Sequence, residues 1–362
     1  MRGFVGIGQS DSIEAAIGEA TNGLRNADLL ILIAPFNKAA KAAELLSEKY
    51  PLVPMIGTTG ISVGKGAISD NNITVIGMAG VTVTTGIIKD TTKSPITYIK
   101  DFENDLRALE GSVDNTVCLE FITNNEEKTI STMNSVLNRY NISLAGGTSY
   151  GAPLGEQPAV IYNGAMYKKS CVYAFVKNNA GRINVSKENI YETLSPRPHF
   201  ATLVDTNTKT LFQLDGTPAF EVYADTTGVE KDDIVENMIN NPLGRVLGDD
   251  IYLISTNSLD LNGVMFNGKT INDNDSIYIM QLGDYKAINQ ETRSNIKGFS
   301  GRTSFLLSFD STNRIKLFTK EDYLDEYISD MSSVATYAGH VGDGQQYNTQ
   351  HMNQTLVLVA FE

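Results

Sequence analysis

The sequence predicts an α+β fold of mixed α/β character: two lobes, each a mixed, largely antiparallel β-sheet flanked by helices. Apolar runs of strand length alternate with segments of helical period from the first residues onward. After about residue 60 that rhythm gives way to consecutive strands with no helix between them. The chain's 362 residues also exceed what one core usually fills, and about 150 residues per domain points to two lobes.

The first strand is Gly3 to Ile7, and a helix opens near Asp11 or Ser12 with Ile13, Ala16, Ile17, Ala20 and Leu24 on one face. Asp11 and Glu14 place carboxylates where the first turn's free amides lie. Asp28 to Ala34 is continuously aliphatic, the pattern of a strand buried on both faces. Ala39, Ala42, Ala43, Leu46 and Tyr50 form the stripe of a second helix, which Pro51 ends before a strand at Val53 to Thr58. Ile73 to Ala79 and Val81 to Ile88 read as adjacent, antiparallel strands. Helical patterns at Ile96 to Leu109 and Glu126 to Tyr140 flank a strand at Thr116 to Ile122. From Ser143 to Val185 strands are broken by tight turns, with Asn163-Gly164 a hairpin signal.

Two prolines in Ser195-Pro-Arg-Pro-His199 disfavour helix and ladder pairing, so the division is drawn there, with domains at 1–195 and 196–362. In the second half strands are expected at Ala201 to Asp205, Leu211 to Leu214, Asp250 to Ser255, Ser276 to Leu282, Thr303 to Phe309 and Thr355 to Phe361. Helices are expected from Pro218, at Tyr285 to Asn295 and at Lys320 to Ser332.

Composition narrows the function. A formal charge of −13 repels a phosphate backbone, which argues against nucleic acid as a partner. Cys118 and Cys171 lie in apolar runs, where a buried reduced thiol suits a cytoplasmic protein, and no apolar window reaches membrane-span length. Gly6-Ile-Gly8-Gln-Ser10-Asp11 only partly matches a dinucleotide fingerprint, because Asp11 stands where a third glycine belongs. The glycines of Gly57 to Gly66 miss P-loop spacing and read as a turn. His199, His340 and His351 form no short-spaced metal set, although His340, Asp343 and His351 could meet in space. No catalytic motif and no metal site is expected.

What remains is polar, flexible chain leaving apolar strands: Gly57-Thr58-Thr59 after VPMI, and Gly147-Thr148 within the Gly-Gly-Thr-Ser that follows ISLA. Glycine permits close backbone approach, and hydroxyls both donate to and accept from a small polar ligand.

The chain resembles the FIST family of signal-transduction sensors. The resemblance rests on VGIGQSDSIEAAIGEA, ADLLILIAPF, PMIGTTGISVGKG, AGGTSYG and VIYNGAMYKKSCVYAFV, and, for a companion C-terminal domain, on LDGTPAFEVYADTTG, SIYIMQLGDYKAINQETRS and HMNQTLVLVAFE. The family's usual Ser-Cys-x-x-Arg element stands here as Ser308-Phe-Asp310-Ser-Thr-Asn-Arg314, without the cysteine. The resemblance implies a bacterial, non-enzymatic module that binds a small polar metabolite such as an amino acid. Gly57, Thr58, Thr59, Gly147, Thr148, His351 and Asn353 would supply the hydrogen bonds. It also implies a separate output protein, such as a histidine kinase, chemotaxis receptor or diguanylate cyclase. Two alternatives stand beside it. One is a haem-based nitric-oxide sensor using one of the three histidines, His199, His340 or His351, and the other is an enzyme using carboxylates such as Glu120 or Asp215.

Overall fold

A computed structural model describes residues 1–248, 250–299 and 301–362, and it is mixed α+β. Three six-stranded sheets turn one face each toward a shared apolar core. Val5, Ile31 and Ile76 enter it from the first sheet, Leu119 and Val172 from the second, and Phe305 and Val357 from the third.

Helices cover the outer faces. Ile13–Ala20 and Phe36–Lys49 pack on the first sheet, Ile99–Ala108 and Glu126–Tyr140 on the second, and Tyr285–Phe299, Thr312–Lys320 and Leu324–Ser332 on the third. A fourth sheet, built mainly from residues 199–282, packs its own core around Leu211, Tyr223, Leu243 and Ile277. The proposed boundary at residue 195 falls between the strands Tyr191–Thr193 and His199–Asp205. Strands from both sides of it share sheets: Ile61–Gly64 pairs with Thr336–Gly342, Ser143–Thr148 with Gln345–Tyr347, and Ile183–Glu188 with Leu356–Phe361.

Local chemistry accounts for the elements. The first helix is capped by Ser12, whose hydroxyl accepts from the Ala15 amide. Gly6 and Gly8 lie under that helix. A Cβ on Gly6 would stand 1.7 Å from the Ala20 carbonyl oxygen and one on Gly8 2.0 Å from that of Ala16, so close strand-helix packing accounts for both glycines. Asn163 and Gly164 take positive φ and close the hairpin Val160–Tyr162 to Ala165–Tyr167. Cys118 and Cys171 are free and buried.

Two expectations are corrected. The strands Ile73–Ala79 and Val81–Ile88 do not pair with each other: the first lies between two strands of the first sheet and the second pairs with Cys171–Asn178 in the second. One residue, Gly80 at φ +81, cannot fold a hairpin and instead turns the chain from one sheet to the next. The helix expected at Lys320 to Ser332 begins only at Leu324, because Asp322 takes positive φ, and Lys320 instead ends a separate helix, Thr312–Lys320, that was not expected.

Candidate functional site

The strand Ser143–Thr148 runs parallel to Thr116–Ile122, so both release the chain at one end of the second sheet. There the Thr148 amide donates to the Gly344 carbonyl at 2.8 Å, the Ser149 amide to that of Ile122 at 2.8 Å, and the Tyr150 amide to that of Thr59 at 2.9 Å. Thr59 ends the strand Met55–Thr59, and the Thr58 hydroxyl donates to Ser149 Oγ at 2.7 Å. The two glycine- and hydroxyl-rich exits are therefore stitched together.

Beside them lies a cavity of about 980 Å³, at the upper end of the volumes typical of small-molecule sites. Thr148, Ser149, Tyr150 and Glu126 form part of its wall from the first half. Lys209, Ser255, Asn257, Thr312, Lys316, Asp343, His351 and Asn353 contribute from the second.

Of the sequence-derived residues, Thr148, His351 and Asn353 line this cavity. Gly57, Thr58, Thr59 and Gly147 stand behind the wall, buried. A Cβ on Gly57 would meet the Leu32 carbonyl oxygen at 2.1 Å, and one on Gly147 would meet His340 Nδ1 at 2.8 Å. Thr59 is occupied by the neighbouring backbone, its Oγ1 accepting from the Ala159 amide at 3.2 Å. Asp343 and His351 do meet at the cavity, whereas His340 lies in the core against Phe121.

Gln346, fully buried on the hairpin strand Gln345–Tyr347, ties two wall residues together. Its Nε2 donates to Thr148 Oγ1 and to His351 Nδ1, each at 2.9 Å. This amide assignment leaves the His351 proton on Nε2. Burial, reinforced by Lys269 and Lys209, holds the His351 ring well below its ordinary pKa, so it is neutral. Burial also raises the Glu126 carboxyl. Asp343 is walled in by the cavity while open at its mouth, and desolvation, opposed by Lys316, pushes it up to about 6. Lys269, buried behind Gly268, is pulled down to about 8 by desolvation.

Sequence reasoning missed the far wall. Lys209 comes from the turn before Thr210–Leu214 and Ser255 and Asn257 from the stretch around Thr256–Leu259, and nothing local marks these two segments as neighbours. A second hollow of about 580 Å³ adjoins the first, with Tyr150 on both walls.

The histidines and carboxylates named for the two alternative readings lie in different surroundings. A haem needs a broad apolar slot beside its axial ligand. His199 Nδ1 is 2.8 Å from Asp215 Oδ2, His340 is packed among glycine backbones, and His351 faces a polar, charged wall. Glu120 is fully buried, taking the Cys171 thiol at 3.6 Å, and Asp215 also accepts from the Phe200 amide at 2.8 Å.

The profile of the FIST N domain matches residues 28–217, just over half of the chain. The chain belongs to the FIST family. FIST domains are sensory domains of signal transduction. Both strand exits lie inside the FIST match, while Asp343, His351 and Asn353 lie beyond it, in the part that resembles the companion domain. No curated protein matches this FIST chain. Among solved structures, phosphoribosylformylglycinamidine synthase II from Thermotoga maritima aligns over 99% of this chain and 71% of its own, at 11% identity and a TM-score of 0.20, which carries no argument. No described helix is long and apolar enough to cross a membrane.

Proposed function

We propose that this chain is a cytoplasmic sensor that binds a small polar metabolite, an amino acid or close relative, in the 980 Å³ cavity, and that it is not an enzyme. The observation that carries the reading is the wall itself: carboxyls, lysines, hydroxyls and a neutral histidine from both halves of the chain converge on one hollow at the ends of strands. Such a surface offers partners to both charged ends of a zwitterion. The match to a sensory family supports the same reading.

Ligand would act by favouring one arrangement of the segments that meet at the cavity, which requires different affinity for two states. The output goes to a separate signalling protein such as a histidine kinase, chemotaxis receptor or diguanylate cyclase. Isothermal titration of the purified chain with each of the twenty standard amino acids tests the proposal. Saturable heat with at least one of them is expected, and silence across the set contradicts it.

A further inference from the structure

Acidic side chains predominate on the cavity wall. Glu126, Asp232, Glu236 and Asp343 face Lys209 and Lys316, so with His351 neutral the carboxyls outnumber the cations on this wall four to two. Among the described residues neither Glu126 nor Asp343 lies within ion-pair distance of a cationic side chain, although both belong to one wall and repel one another. Lys209 is turned aside, donating to the Gly268 carbonyl at 3.1 Å.

An independent observation lies beside them. Asn353 is only 8% exposed and lines the same cavity. Its Nδ2 donates to the Asp343 carbonyl at 3.1 Å, while among the described residues its Oδ1 has no hydrogen-bond partner. A buried amide oxygen without a donor is costly, and a ligand donor removes the cost. Carboxyls without a close ion pair, with only the more distant field of Lys209 and Lys316 on them, and an orphaned acceptor ask for the same group. An ammonium carries three donors and no acceptor.

We infer that the ligand carries a protonated amine, seated against Glu126 and Asp343 with Asn353 Oδ1 as a third acceptor, so that acids lacking an amine are rejected. This rests on the reading of the cavity as the ligand site and narrows it to amines. Rejection follows because an anion would meet a wall on which carboxyls already outnumber cations, whereas an ammonium offsets them.

Isothermal titration of the twenty L-amino acids, each beside its N-acetyl derivative, together with succinate and malate, tests the inference on the intact chain. Acetylation removes the positive charge and should weaken binding at least about tenfold. Succinate and malate should give no saturable heat. Glu126→Gln and Asp343→Asn should each weaken the free amino acid by about tenfold and leave the N-acetyl compound unchanged. An N-acetyl derivative or succinate that binds as tightly as a free amine overturns the amine subsite and leaves the cavity standing as a ligand site. Silence of every compound overturns both. The comparison of ligands on the unaltered chain holds even where a variant fails to fold.

Discussion

His340 is 1% exposed, and both its ring nitrogens lack hydrogen-bond partners among the described residues. The backbones of Gly60, Gly147 and Gly342 close around it, and a Cβ on any of them would stand under 3 Å from the ring. Burial pushes its pKa down to about 3. A folded-state pKa below the ordinary 6.5 means that stability is full above that value and is lost as pH falls toward 3, because the unfolded chain binds the proton and the folded chain does not. The expected loss is about 1.4 kcal/mol per pH unit for this ring, and His351 acts in the same direction. Urea midpoints from pH 7 to pH 4 should fall less steeply for His340→Leu than for the parent chain. Equal slopes would show that the ring is not held neutral by burial.

At the scale of elements, the helix Thr312–Lys320 presents Thr312 and Lys316 to the cavity, and a buried charge network behind it holds it there. Arg314, with no exposed side-chain surface, donates from Nη2 to Glu188 Oε1 at 2.6 Å and from Nε to Asp310 Oδ1 at 2.9 Å. Tyr327 donates to Asp310 Oδ2 at 2.6 Å, and Gln345 reaches the Asp310 carbonyl at 3.0 Å, linking the network to the loop that carries Asp343. Arg314→Met leaves two buried carboxyls without their cation and should cost about 3–5 kcal/mol, measured by urea unfolding near pH 7. A loss below about 1 kcal/mol would mean that the network is not what fixes this helix.

The sequence marks Asp310 and Arg314 only as part of the altered Ser-Cys-x-x-Arg element, and nothing in it announces the buried ion network or Glu188's place in it. TNRIKLFTK interleaves polar and apolar residues without a clean stripe, since Arg314 itself occupies a buried position that periodicity assigns to an apolar residue. By contrast, Ala39, Ala42, Ala43 and Leu46 announced their helix because each is buried against one sheet at a spacing of three or four. The hairpin at Asn163-Gly164 was equally legible, since its turn demands positive φ. Gly80 misled because sequence adjacency favours pairing, and only the stacking of sheets decides that a strand leaves one for another.

At the scale of the molecule, three sheets share one core and the chain threads between them, so distant segments end at a common place. Hydroxyls and glycines at two strand exits were readable as candidates before any fold was known, and of those exits Thr148 and Ser149 reach the cavity while Gly57, Thr58, Thr59 and Gly147 do not line it. Lys209, Ser255 and Lys316 arrive by tertiary routes that leave no local signature. The most direct measurement of where ligand sits compares affinities by isothermal titration, with the amino acid that binds the parent chain best, across His351→Ala, Lys316→Ala and Asp70→Asn. The first two alter the 980 Å³ cavity and the third the adjoining hollow. Losses of about tenfold or more in the first two, with Asp70→Asn unchanged, are expected. Binding that ignores His351→Ala and Lys316→Ala and collapses in Asp70→Asn would contradict the assignment of this cavity as the sensor's site.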